Sequence, residues 1–304
     1  MPPIENYPVT LHQTALVLNW NFLIPIQPVG CRPPFFLLHG SRELGCKIDT
    51  DQPVYGLLPH GLDGRRAPVS VEEMAADYIA EIRMIRPEGP YLIGGYSFGG
   101  LVAFEVARQL KAQNQEVKLL ILLDPTTPAN GKIGLEASSP VSKFSRYVRK
   151  HWRNLWLLDG REKKAYLTER IRWRLNFFKY TVKMACCQAF LISGRRVPIG
   201  LRVFYFMSIA RLAAGRYIPG VYCGHVILLP TERPEKNGSS YWSHLVAGRL
   251  EIHEMPGAHL DAIHGPHVTA WSEQLRTCLE NAATSTSSET DFNISMPVRS
   301  TDAS

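Results

Sequence analysis

Between Tyr91 and Leu123 the chain sets two apolar runs, Tyr91 to Tyr96 and Val117 to Leu123, on either side of a glycine-rich turn and the amphipathic stretch Leu101 to Gln113. Runs this continuously apolar are strands buried on both faces, and two such strands joined by a helix lie parallel. The turn itself reads Gly95-Tyr96-Ser97-Phe98-Gly99. Glycines flank the serine where side chains would collide with neighbouring backbone, as in a nucleophile elbow that presents a serine hydroxyl on a strained strand-to-helix turn. An ordinary glycine-rich βα turn is the plain alternative. A phosphate loop is excluded because no Gly-Lys-Ser/Thr follows.

The same alternation extends in both directions. Pro34 to His39 and Gln52 to Leu58 read as strands, and Ser70 with Glu73 forms a capping box for a helix with Met74, Tyr78, Ile82 and Ile85 on one face. Strand character returns over Val221 to Leu229 and Leu250 to Glu254, and a last helix runs from about His267 to Asn281. Strands alternating with helices predict a mostly parallel sheet with helices on both faces. Residues 1–23 read as an N-terminal extension, 24–281 as the folded domain, and 282–304, rich in Ser, Thr and Asp, as a disordered tail.

The stretch 129–220 interrupts this pattern. It is helical in periodicity, aromatic, and carries 19 Lys/Arg against four Asp/Glu. Its net charge of +15 exceeds the +7 of the whole chain, which leaves the other 212 residues at −8. A segment inserted between two strands of a sheet behaves as a lid, and its charge suits an anionic partner. A solvated helical face is the bland reading of the same residues. Nucleic acid is the poorest fit, because no recognition motif accompanies the charge.

Composition bounds the rest. At 45% hydrophobic and 20% charged residues, the balance is that of a globular protein. Leu16 to Ile26 is apolar but short and broken by Asn19, Asn21 and Pro25, so neither a signal peptide nor a transmembrane segment is expected. Cys31, Cys46, Cys186, Cys187, Cys223 and Cys278 lack metal-ligand spacing, and read as reduced, mostly buried thiols of a cytoplasmic protein. No metal and no cofactor of the chain's own is expected.

A serine becomes a nucleophile when a base takes its proton and a carboxylate orients that base. Asp124 directly follows the strand ending at Leu123, 27 residues after Ser97, and Glu232 follows the strand ending at Leu229. Spacing alone leaves both acids open. His259 follows the strand at Leu250 through a Pro-Gly-Ala loop, whereas His264 and His267 approach the last helix and read as capping or solvated. The oxyanion donors expected for such a site are the backbone N–H groups of Phe98, after the nucleophile, and of Ser41, after His39-Gly40.

Several segments together resemble the type I thioesterase domains of nonribosomal peptide, polyketide and fatty-acid synthetases. They are Phe36-Leu37-Leu38-His39-Gly40, Gln52-Pro53-Val54-Tyr55-Gly56-Leu57, Gly95-Tyr96-Ser97-Phe98-Gly99-Gly100, Leu123-Asp124 and Pro256-Gly257-Ala258-His259. The resemblance runs from about Ile24 to Glu280 and implies an α/β-hydrolase fold with a helical lid at 129–220. It implies release of an acyl or peptidyl chain from the phosphopantetheine thioester of a carrier protein or synthetase module, by hydrolysis or cyclisation. It implies Ser97 as nucleophile, Asp124 rather than Glu232 as acid, and His259 as base. The segment Ser41 to Thr50 is about ten residues shorter than a full crossover of this family. That shortening puts at issue the first strand crossover and the oxyanion donor, whose loss costs about 10²–10³ in kcat. Two other readings follow from it and from the charge: a catalytically impaired carrier-binding homologue, and a lipase or esterase with a membrane-facing basic lid.

Overall fold

The computed structural model describes residues 21–128, 160–231 and 238–290. Seven strands form one sheet: β1 (Leu23–Gln27), β2 (Phe35–Leu38), β3 (Val54–Leu57), β4 (Tyr91–Tyr96), β5 (Val117–Leu123), β6 (Val226–Leu229) and β7 (Leu250–Ile252). Their order is β1-β3-β2-β4-β5-β6-β7, with β1 antiparallel to β3 and every other pair parallel. The central strands β2, β4 and β6 are buried along their whole length, as continuous apolar runs require. The α/β-hydrolase architecture expected from the sequence is therefore present.

Side chains alternate across this sheet. Phe35 and Leu37 of β2 join Leu119 and Ile121 of β5 in a core shared with Leu44 of α1 (Arg42–Cys46) and with Trp271 and Leu275 of α7 (Val268–Thr290). The opposite face is left to α2 (Val71–Ile85) and α3 (Phe98–Ala112). The Ser70 hydroxyl accepts from the Glu73 N–H as a helix cap, yet it also donates to Glu72 Oε2, so only one arm of the expected capping box forms. Helix α7 continues to Thr290, beyond the Asn281 at which the apolar pattern fades. Four of the six cysteines are exposed and only Cys187 and Cys278 are buried, which corrects the expectation of mostly buried thiols.

The shortened crossover is intact. Fifteen residues, 39–53, connect β2 to β3, and they hold the five-residue helix α1 capped by the Ser41 hydroxyl on the Leu44 N–H. The parallel register runs without interruption from Phe35 opposite Val54 to Leu38 opposite Leu57. Backbone bonds close both ends, from Phe35 N–H to Pro53 O and from His39 N–H to Leu57 O. A parallel crossover needs a dozen or so residues, so these fifteen suffice to join β2 to β3 without a break in the register.

The chain divides into two compact units, one of Met1–His60, Pro68–Ala129 and Ile209–Ser304, the other of Gly61–Ala67 and Asn130–Ser208. The second contains α4 (Gly160–Ile192) and most of α5 (Ile199–Arg216), and the first contains α6 (Gly238–Ser243). Within the second the Val197 N–H donates to Gly64 O, and the Ala67 N–H donates to the Tyr205 hydroxyl. Of the inserted segment read from the sequence at 129–220, residues 129–159 lie outside the described residues. In the first unit the Tyr217 hydroxyl donates to the buried Glu105 carboxylate of α3, which Arg108 and Gln109 also hold. Among the described residues no helix is long and apolar enough to cross a membrane.

Candidate active site

Ser97 stands between β4 and α3 with φ 55° and ψ −121°. That region is costly for a residue with a β-carbon, and strain of this kind persists only where its surroundings enforce it. Here they do. The Ser97 N–H donates to Leu123 O, and the Ser97 carbonyl accepts from the N–H groups of Gly100 and Thr126. The turn also closes tightly: a β-carbon on Gly95 would lie 2.2 Å from Gly99 O, and one on Gly99 would lie 2.6 Å from Leu38 O. Glycine is the only residue both positions accept.

Asp124 leaves the end of β5 with φ 39°, its N–H donating to Leu229 O. Its Oδ1 accepts from the Thr231 N–H at 3.2 Å, and its Oδ2 faces His259 Nδ1 at 2.5 Å. Burial acts to raise the Asp124 pKa, but the hydrogen bonds from His259 and Thr231 outweigh it and hold the carboxyl below its ordinary value. It stays ionised at neutral pH. The other imidazole nitrogen, His259 Nε2, lies 2.8 Å from Ser97 Oγ.

A carboxylate can only accept, so it fixes the neutral tautomer with the proton on Nδ1 and leaves Nε2 to accept the Ser97 proton. The structure thus brings Ser97, Asp124 and His259 into one hydrogen-bonded chain. The rival acid Glu232 lies outside the described residues. His264 pairs with Glu43 at 3.4 Å and is not part of the chain.

The two expected oxyanion residues lie on adjoining elements. Phe98 opens α3, whose N-terminal amides and dipole favour negative charge at the serine. Ser41 opens α1, just past β2. A β-carbon on Gly99 would come within 2.7 Å of His39 Cβ, so the end of β2 lies directly against the elbow. The Ser41 side chain is already engaged, accepting from the Leu44 N–H and donating to Ile263 O, so only its backbone N–H is a candidate donor to an oxyanion.

Three neighbours of the chain were not foreseen. Tyr96 donates to the His259 carbonyl, the Thr231 amide holds Asp124, and Thr126 Oγ1 lies 3.5 Å from Ser97 Oγ. A backbone amide carries no side-chain signal, and Tyr96 occupies a position of Gly-x-Ser-x-Gly that the motif leaves open.

Comparison with known proteins places these residues in context. Residues 42–144, a third of the chain, match the family model for the thioesterase domain. That stretch contains Ser97 and Asp124 and begins just after His39-Gly40-Ser41. Malpinin synthetase of Mortierella alpina is 43% identical over 120 residues, 37% of this chain and 2% of that protein. The dimodular nonribosomal peptide synthase of Bacillus subtilis (strain 168) is 41% identical over 112 residues, 34% of this chain and 5% of that protein. The chain therefore spans only a small fraction of these relatives. The NocB thioesterase domain, solved in covalent complex with a fluorophosphonate nocardicin G analogue, superposes with a TM-score of 0.57 at 22% identity. The match covers 85% of this chain and 99% of that one, and shows a shared fold.

Proposed function

Since the chain carries a thioesterase domain of the kind found in nonribosomal peptide and polyketide synthetases, we propose that it releases acyl or peptidyl chains from a carrier-protein phosphopantetheine thioester through a Ser97 acyl-enzyme. The observation that carries this reading is the chain Asp124–His259–Ser97, at 2.5 and 2.8 Å.

Ser97 Oγ attacks the thioester carbonyl as His259 Nε2 takes its proton. Negative charge builds on the carbonyl oxygen, facing the amides of Phe98 and Ser41. The C–S bond then breaks, His259 returns the proton to the departing sulfur, and the acyl group remains on Ser97 with a free phosphopantetheine thiol released. In the second half His259 deprotonates the acceptor, whose attack on the ester restores the serine. Water gives the free acid, and a hydroxyl or amine within the chain gives a ring. Asp124 stays ionised throughout and stabilises the imidazolium.

The basic segment fits an acidic carrier. Helix α4 exposes Ile171, Leu175 and Phe178 beside Arg172, Arg174 and Lys179, a surface with apolar and cationic character together. The test is turnover of acyl-pantetheine by Ser97→Ala, read with circular dichroism to establish an unchanged fold. The expected result is a fall in kcat of about 10⁶-fold. Unchanged turnover in the variant contradicts the proposal, and an inactive wild type supports the impaired homologue. Preference for lipid esters, with salt-sensitive binding to anionic vesicles, supports the esterase reading.

A further inference from the structure

His259 rides on a four-residue 3-10 turn, His259–Ala262, that follows β7 through Met255-Pro256-Gly257-Ala258. Within the turn, the Ala258 N–H donates to Asp261 Oδ2 at 2.7 Å, and the remaining local bonds are backbone ones. Asp261 N–H donates to Ala258 O, and the N–H groups of Ile263 and His264 both donate to Leu260 O. Short 3-10 pieces have poor hydrogen-bond geometry, whereas a catalytic base must be held to within about 0.5 Å.

Two side chains from distant parts of the chain take up the carbonyls at its ends. At the front, the Tyr96 hydroxyl donates to His259 O at 2.7 Å. The Tyr96 ring also stacks on the imidazole, with centroids 4.8 Å apart and planes at 28°. At the back, Ser41 Oγ donates to Ile263 O at 2.6 Å, across 222 residues of sequence. Both donors are buried, Tyr96 at 6% and Ser41 at 4% exposure. One is the residue before Ser97; the other caps α1 in the shortened crossover.

We propose that Tyr96 and Ser41 are positioning residues that clamp the two ends of the His259 turn and so set the base against Ser97. This inference rests on reading Ser97 and His259 as nucleophile and base. Tyr96 ends β4 and Ser97 follows it in the elbow, so the hydroxyl that attacks and the tether that fixes the base come from adjacent residues at one strand end. The stacked ring adds a second effect, because an imidazolium formed by proton transfer from Ser97 lies against an aromatic face. Ser41 couples the other end of the turn to the loop whose backbone is the expected oxyanion donor. Nucleophile, base and oxyanion loop are then tied to one another rather than to three independent loops.

The test compares Tyr96→Phe, which keeps the ring and deletes the donor, with Ser41→Ala, Ser41→Thr and the double variant Tyr96→Phe/Ser41→Ala. Two readouts are taken: labelling of Ser97 by an alkyl fluorophosphonate, resolved into kinact and KI, and hydrogen exchange at the Asp261, Ile263 and His264 amides. Each single deletion is expected to lower kinact by about 10- to 100-fold, the scale of a small misplacement of a catalytic group. KI should stay within about twofold, exchange at the three amides should accelerate, and Ser41→Thr, which restores the hydroxyl, should recover part of the rate lost in Ser41→Ala. Because either loss frees the turn, the double variant should fall short of the product of the two single effects. Unchanged exchange and kinact in Tyr96→Phe overturn the clamp, as does a double variant equal to that product. A wild-type protein that is never labelled, with exchange that still responds to Tyr96→Phe, overturns the reading of Ser97 and leaves the clamp standing.

Discussion

Asp124 combines three demands that rarely coincide in one residue. It must turn the chain out of β5 at positive φ, accept the Thr231 amide, and present its second oxygen to His259. Only the last needs a charge. Asp124→Asn keeps the shape, but its amide can donate to Nδ1 and so favours the tautomer that places the imidazole proton on Nε2, against Ser97. The expected outcome is a fall in kcat of about 10⁴-fold with KM little changed, measured on acyl-pantetheine. Equal loss in kcat and in binding would mean that Asp124 shapes the pocket instead. At this scale the sequence was informative where a functional side chain directly follows an apolar run. Ser97 and Asp124 do, whereas His259 is reached from β7 only through the loop Met255-Pro256-Gly257-Ala258. It was silent on the tethers that the Tyr96 and Ser41 hydroxyls make, because a side chain bonding a carbonyl 163 or 222 residues away leaves no local spacing to read.

Strand ends, more than strands, organise the elements around the site. His39 closes β2 at φ 57°, its Nε2 bonded to the Tyr78 hydroxyl of α2, which in turn donates to Leu58 O. Burial above all, then the nearby His60, drives the His39 pKa from 6.5 down to about 3. The folded protein therefore binds fewer protons here than the unfolded chain between those values, and stability rises with pH across that window. The contribution is fully present above 6.5 and is lost as pH falls toward 3. Each pH unit is worth about 1.4 kcal/mol for one proton. Urea unfolding from pH 7 to 4 should show that slope, and His39→Asn, which tolerates positive φ, should remove it. A variant with the wild-type slope would place the titrating group elsewhere. The strands themselves were legible because interior parallel strands are uninterrupted apolar runs. The end of α7 was not, because residues 282–290 have a composition typical of tails and continue a helix already nucleated upstream.

Charge is the property of the whole molecule that the fold does not explain. Residues 129–220 hold +15 while the remainder is at −8, a separation that no packing requirement demands. Under the proposed function it steers an acidic carrier, and such steering is screened by salt. Raising ionic strength from about 0.05 to 0.5 M is expected to lower kcat/KM several-fold for an acyl-carrier substrate and to leave that for free acyl-pantetheine unchanged. Equal salt dependence for both substrates would assign the charge no role in recognition. The central claim, that Ser97 is an activated nucleophile, is tested most directly by mapping the adduct of an alkyl fluorophosphonate by peptide mass spectrometry. One phosphonate per chain is expected, on the peptide containing Ser97, and none in Ser97→Ala. An unlabelled wild type, or an adduct on another residue with thioester hydrolysis retained in Ser97→Ala, would contradict it.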